Sequence, residues 1–374
     1  MQTTFESACG QAIKAIEQKM KDGTYKPALD YILIDESQDF NSNFIKMCEL
    51  AVSKQVYSAG DIFQSIFEEH TDKDYEADTF LSKCYRTDSK TLMFAHALGL
   101  GLFEKTRLRW LKKEDWEACG YNYVDAEKNI ILSRDFVREY IGIKDDYPSI
   151  QLVEFQREEF WEKLKETIEK IQSEFPNAAV DDFCVILLDS DASIYNQANR
   201  IEALVAEKFE WKVNKAYESK VKIKNTLLIS NRNNVKGLEY PFVICVTKLI
   251  TSDYMYRNAI YTMLTRSFLQ TYLLLPNTGS GINNDIRNGL NEIMNSHRMT
   301  IKAPTEEEKI QIETRFNAAK QRKPLKEIIG DIIDRMDLPN EDAERLSDMA
   351  MAAKWQYISE EEIAQKLQEL KKIL

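Results

Sequence analysis

The sequence predicts an α/β protein built on parallel sheets flanked by helices, with a helical extension at its C-terminal end. Three observations predict it. The run Tyr31-Ile32-Leu33-Ile34 is continuously apolar and stops abruptly at Asp35-Glu36, the pattern of a strand buried on both faces of a parallel sheet with acids at its C-terminal end. From Ile150 onward, short apolar runs alternate with amphipathic stretches, as in strands joined by crossover helices. Beyond about residue 300 the pattern changes to helices rich in both charges, punctuated by Pro304, Pro324 and Pro339.

Taken in order, residues 4–22 read as an amphipathic helix ending near Gly23, followed by the strand at Tyr31 and a second strand from Gln55 to Ser58. Helical patterns continue through Leu102, so residues 1–102 form the first division. Residues 103–148, mixed and rich in charge and aromatics, read as a connecting or accessory helical region. Residues 149–300 carry the second α/β division: strands at Gln151–Phe155, Phe183–Leu188, Thr226–Ser230, Phe242–Val246 and Thr271–Leu275, with helices at Glu158–Glu174, Ile194–Phe209 and Arg257–Ser267. Residues 301–374 form the extension, in which Ser359 and Glu362 have the spacing of a capping box.

Composition narrows the function. With 374 residues and 44% apolar content, the chain is long enough for two domains and a substantial core. A formal charge of −11 argues against a protein that holds nucleic acid through a broad basic field, leaving a local groove as the way to bind it. The six cysteines are scattered singly, as small core residues are, and the three histidines are too dispersed for a zinc site. No run of 18 apolar residues and no basic, apolar leader occurs, so a cytoplasmic protein without membrane association is expected.

The chemistry is concentrated in five fragments. Asp35-Glu36-Ser37-Gln38 closes a strand, and two adjacent acids there are costly to desolvate unless a cation, such as a magnesium nucleotide, offsets them. Gly60-Asp61-Ile62-Phe63-Gln64 follows the next strand, where a side-chain amide can sense a terminal phosphate. Then come Cys84-Tyr85-Arg86-Thr87, Lys236-Gly237-Leu238-Glu239-Tyr240, and Tyr261-Thr262-Met263-Leu264-Thr265-Arg266. Each fragment is weak alone, and the order of all five is what carries the reading.

In that order the fragments resemble motifs II, III, IV, V and VI of the superfamily 1, UvrD/Rep/PcrA-like DNA helicases, over about residues 30–275. The resemblance implies a partial first RecA-like domain, a complete second one, and ATP with magnesium bound between them. It further implies Asp35 as metal ligand, Glu36 as activator of the attacking water, and Gln38 and Gln64 as links between phosphate and movement. Tyr85 would stack on adenine, Glu239 would contact ribose, Asp61 and Gly237 would belong to the nucleotide site, and Arg86 and Arg266 would reach the γ-phosphate. A guanidinium that arrives only when two domains close stabilises the charge gathering on a transferring phosphoryl group.

The pattern also departs from the family. A Walker A loop needs G-x-x-x-x-G-K-[ST], and none of the twelve glycines is followed by lysine. The strand at Tyr31–Ile34 is too apolar to lie bare, so a preceding segment, a partner chain or a remodelled fold must cover it. Glu68, Glu69 and His70 stand where relatives contact single-stranded DNA, and Asn233 stands where motif V often has histidine. The leading expectation is an ATP-dependent helicase or translocase on nucleic acid, single-stranded DNA foremost, completed by an upstream segment or partner chain that carries the phosphate loop. The alternative is a degenerate helicase-like module that binds DNA or a protein without hydrolysis. A nuclease using Asp181, Asp182, Asp189 and Asp191 is a weaker third reading.

Overall fold

The computed structural model describes residues 5–61, 78–79, 81–137, 144, 146–189, 191, 193–218, 223–232, 234–235, 237–279, 281–320 and discontinuous stretches from 328 to 372. The chain divides into two compact units, Met1–Ile312 and Glu313–Leu374.

In the first unit, α1 (Phe5–Lys21), β1 (Leu29–Ile34), α2 (Ser42–Ala51) and β2 (Val52–Ser58) form a small α/β layer. β1 and β2 pair in parallel, with Ile32 opposite Val56 and Leu33 opposite Tyr57. Because side chains alternate across a strand, one face of this pair holds Ile32, Ile34 and Val56, of which Ile34 is buried, as are Cys9 and Ile13 of α1 and Cys48 of α2. The other face carries Leu29, Tyr31, Leu33 and Tyr57, which are 52, 49, 80 and 53% exposed. The expectation of a strand buried on both faces is therefore met on one face only. Two strands and two helices supply one covering layer, whereas a parallel sheet ordinarily needs two.

The larger sheet has six strands, all parallel, in the order β5-β10-β9-β6-β8-β7. They are β5 (Ile150–Phe155), β6 (Phe183–Leu187), β7 (Lys212–Lys215), β8 (Thr226–Asn231), β9 (Tyr240–Val246) and β10 (Ser267–Pro276). Alternating side chains of the central strands feed two cores. Phe183, Val185, Ile229, Ile244 and Leu274 pack with α5 (Phe160–Glu174) and α6 (Ser193–Phe209). Cys184, Ile186, Leu228, Val243 and Leu273 pack on the other side with α3 (Ser89–Leu100), α7 (Tyr254–Leu264) and α8 (Gly281–Ser296). A sheet with helices on both faces is the α/β arrangement that the alternation from Ile150 predicts.

Every residue of α3 is buried. Asp88 caps its first turn through Lys90 N, and Gly101, at φ 69°, ends it with an amide bonded to Ala97 and Leu98 carbonyls. The burial is explained by a further layer: α4 (Lys113–Ala118), then β3 (Asn122–Ala126), β4 (Asn129–Ser133) and β11 (Arg298–Lys302), an antiparallel sheet in the order β11-β4-β3. Ile130, Leu132, Met299 and Ile301 from this sheet enter the core that holds α3.

This layer corrects the helical reading of residues 103–148. Among its described residues the segment holds one short helix and a β-hairpin, turned at Glu127 with φ 56°. Period-two alternation in Asn129–Ser133 sets its inward face, a signal obscured by the surrounding charge. The sequence reading also passed over β7, α8 and β11. Helices α9 (Glu306–Lys320) and α10 (Glu360–Lys371) follow. In the second unit Ile329, Ile332, Ile333, Leu346, Ala350, Ile363 and Leu367 form a separate core. Ser359, the expected capping residue, lies outside the described residues. Cys9, Cys48, Cys184 and Cys245 are buried, Cys84 and Cys119 partly so, and all six are free thiols.

Candidate functional site

The loop after β1 turns sharply. Glu36 adopts the left-handed region (φ 49°, ψ 48°) and leads into a single 3₁₀ turn at Ser37–Asp39. Two backbone bonds tie this loop to the loop after β2: Ala59 N donates to Ile34 O, and Ser37 N donates to Ala59 O, each at 2.8 Å. Asp35 remains exposed at the strand end, its Oδ1 accepting from Glu36 N at 2.9 Å. Gln38 is buried and donates through Nε2 to Glu36 Oε2 at 2.6 Å, while its Oε1 accepts from Asp61 N at 3.1 Å. The glycine before Asp61 leaves the Gln38 and Ser37 side chains in place, since a Cβ on Gly60 would lie 2.8 Å from both Gln38 Oε1 and Ser37 Oγ.

From the other side comes α7. Tyr261, on its last turns, donates to Asp61 Oδ2 at 2.7 Å. Arg266, just past the helix, is 3% exposed and donates through Nε to Thr262 O at 3.1 Å. Burial and the neighbouring Arg86 lower its pKa, while Glu36, Tyr261 and Asp61 oppose that shift. The same segment binds the stretch before α3, because Thr87 Oγ1 donates to Thr265 O at 3.0 Å. Arg86 Nε lies 2.6 Å from Glu239 Oε2, on the turn that follows Gly237 (φ 78°). Tyr85 is 56% exposed.

Most of the residues singled out in the sequence therefore converge. Glu36, Gln38, Asp61, Arg86, Glu239 and Arg266 lie within one connected or electrostatically coupled group. Asp35 adjoins it through Glu36, and Gly237 and Tyr85 lie beside its members in the chain. Gln64, Asn233, Lys236, Glu68, Glu69 and His70 lie outside the described residues. Among the described residues no group of three or more histidines, cysteines or acids could hold a metal ion by itself. That donor set fits a magnesium nucleotide, which takes one or two protein carboxylates and draws its remaining ligands from phosphate and water.

The sequence reading missed the support behind this group. His96 of α3 is buried, stacks on Tyr261 with ring centroids 5.0 Å apart, and meets Tyr121 Oη through Nδ1 at 2.5 Å. Arg134 covers the Tyr121 ring and donates to Ser82 O at 3.1 Å and to Cys119 O. Arg257 is fully buried and holds the end of α3, its Nη1 donating to Leu98 O at 2.7 Å and pairing with Glu104 Oε1 at 2.6 Å. His96 and Arg134 gave no motif, Arg257 stood only beside the last fragment, and tertiary contact reveals their roles. A cavity of about 190 Å³ lies behind the stretch at Ser82–Thr87, lined also by Tyr121 and Arg134, and does not include Asp35 or Glu36. The acids considered for a nuclease have another partner: Lys248 Nζ lies 2.6 Å from Asp191 Oδ2, and Lys248 N donates to Asp189 Oδ2 at 3.1 Å.

Comparison with known proteins gives one family match. Residues 226–274, which contain Gly237, Glu239, Arg257, Tyr261 and Arg266, match the UvrD-like helicase C-terminal domain. No curated protein matches the chain. Among solved structures, the C-terminal domain of a possible DNA helicase from Lactobacillus plantarum WCFS1 is 17% identical, with a TM-score of 0.29 over 38% of this chain and 82% of that one. The DEAD-box helicase Mss116 bound to single-stranded RNA and UDP-BeF is 12% identical, with a TM-score of 0.29 over 96% of this chain and 72% of that one. Likenesses this distant say nothing about substrate. Residues 226–274 thus resemble the C-terminal domain of UvrD-like helicases.

Proposed function

We propose that the chain is the greater part of an ATP-driven motor on nucleic acid, with single-stranded DNA as its track and the cytoplasm as its compartment. ATP is bound and hydrolysed where the loops after β1 and β2 face α7 and the turn at Gly237. The observation that carries this reading is the convergence of the acids Glu36 and Asp61 with the guanidinium groups of Arg86 and Arg266. A transferring phosphoryl group needs both kinds of partner, a carboxylate to take a proton from water and cations to bear the charge that develops.

In this reading Glu36 accepts the proton, and Gln38 orients its carboxylate. Arg266 and Arg86 stabilise the γ-phosphate, with Arg86 exchanging Glu239 for phosphate oxygen. Tyr85 and Glu239 hold base and ribose, and Gln38, Asp61 and Gly237 complete the nucleotide site with Gln64. Asp35 would hold a magnesium ion, which would supply neutralisation of phosphate charge. The first RecA-like domain is contributed in part by residues up to 102 and the second by residues 149–300, with 103–148 as the accessory region and 301–374 as the extension.

No glycine in the sequence is followed by lysine, so the phosphate loop comes from an upstream segment or a partner chain. The bare face of Leu29, Tyr31, Leu33 and Tyr57 supports this part of the reading, since covering it would bury the apolar surface that the two-stranded sheet leaves in water. The test is ATPase activity of the chain alone and joined to a polypeptide carrying G-x-x-x-x-G-K-[ST], with and without single-stranded DNA. Turnover appearing only in the joined form and abolished by Glu36→Ala is the expected result. Full turnover by the chain alone contradicts it, and no nucleotide binding in either form points instead to a non-hydrolysing helicase-like module.

A further inference from the structure

The hydroxyl of Tyr261 lies at one end of a chain of directional hydrogen bonds that finishes on Glu36. Tyr261 Oη donates to Asp61 Oδ2 at 2.7 Å, Asp61 N donates to Gln38 Oε1 at 3.1 Å, and Gln38 Nε2 donates to Glu36 Oε2 at 2.6 Å. Each link fixes the next. A backbone N–H can only donate, so it selects the oxygen end of the Gln38 amide and thereby turns the nitrogen end toward the carboxylate. Gly60 leaves room for the amide in this place, since a Cβ there would lie 2.8 Å from Gln38 Oε1 and would displace it.

The far end of the chain is held equally firmly. Tyr261 is 5% exposed and stacks on His96, itself 2% exposed, whose Nδ1 meets Tyr121 Oη of the accessory layer at 2.5 Å. Burial first, and then the Asp61 carboxylate, raise the pKa of the Tyr261 phenol, so the hydroxyl remains a donor at neutral pH.

We propose that Tyr261 is a positioning residue for Glu36, acting through Asp61 and Gln38, so that the seating of α7 against the loop after β2 sets the orientation of the candidate proton acceptor. It is a role in the ATPase reading given above, and it rests on that reading. The geometric part stands on the three hydrogen bonds alone. Movement of α7 away from Asp61 would release Gln38 and let Glu36 turn from its place, which makes α7 docking a condition for turnover.

The experiment is selective ¹⁵N labelling of glutamine in the full chain without nucleotide, with the Gln38 side-chain amide assigned by its loss in Gln38→Glu. Tyr261→Phe keeps the ring on His96 and removes only the hydroxyl. It is expected to shift the two Gln38 amide proton signals, as is Asp61→Ala from the other side of the bond. Asp61→Asn retains an acceptor for Tyr261 and is expected to leave the signals near their wild-type positions. In the joined form that turns over ATP, Tyr261→Phe is expected to lower kcat about tenfold with KM unchanged, the signature of an interaction that matters in the transition state. Gln38 signals that stay in place in both Tyr261→Phe and Asp61→Ala overturn the inference. Shifted signals in a chain that never hydrolyses ATP support the positioning chain and overturn the catalytic role given to Glu36.

Discussion

Arg86 and Glu239 meet at 2.6 Å between Nε and Oε2, with side chains 49 and 52% exposed, so two residues assigned to different parts of one nucleotide neutralise each other. A half-exposed pair is well solvated, which sets its strength. Its coupling energy in a double-mutant cycle of Arg86→Ala and Glu239→Ala is expected to fall below about 1 kcal/mol and to shrink further in 0.5 M salt, read from urea unfolding. A weak pair suits a side chain that must exchange partners, whereas a coupling of several kcal/mol would mark Arg86 as fixed in place.

Arg257 presents the opposite case. It is fully buried against Leu98 O and Glu104, and Arg257→Ala would leave the carboxylate without its cation. The loss is expected to reach about 3 kcal/mol, measured by chemical denaturation, with a smaller loss when Glu104→Gln is combined with it.

Gly289 sits in α8 where a Cβ would lie 2.2 Å from the Phe103 ring. Gly289→Ala is expected to cost about 1–3 kcal/mol by overpacking, and Phe103→Leu in the same chain to recover part of that loss. Thermal melts of the single and double variants decide it: a destabilisation that Phe103→Leu does not relieve would show that the ring is not the obstacle.

His96 makes stability depend on pH. Burial first, and the nearby Arg134 second, pull its pKa well below the ordinary value, so the folded chain holds it neutral while the unfolded chain protonates near pH 6.5. The folded pKa is the lower of the two. Its contribution is therefore complete above about pH 6.5 and declines as pH falls toward the depressed folded value, by up to about 1.4 kcal/mol per pH unit. Urea midpoints measured from pH 8 to pH 5 should show this slope in the wild type, and His96→Asn should flatten it.

The strand at β1 and the acids at its end were legible because a continuous apolar run followed by charge has few other meanings. The strands from Ile150 to Leu275, β7 apart, were legible because central ones such as Phe183–Leu187 are buried on both faces and so read as apolar runs. The accessory layer was not legible. Its strands are short, half-exposed and set among charges, and β11 joins β4 from more than 160 residues away, a pairing that no local pattern encodes. His96 and Tyr261 were read as an isolated histidine and part of a motif, because their contact depends on how α3 and α7 pack.

The sequence alone supplied a carboxylate pair at a strand tip and, through the resemblance of five ordered fragments to a helicase family, the residues expected at a phosphoryl-transfer site. Tertiary structure alone decided how they are held: Gln38 turned toward Glu36, Tyr261 on Asp61, and Arg86 on Glu239. The physical reason is direction and range. Hydrogen bonds and ion pairs act over a few ångströms between groups that folding brings from positions up to 200 residues apart, and a linear sequence carries no record of that geometry.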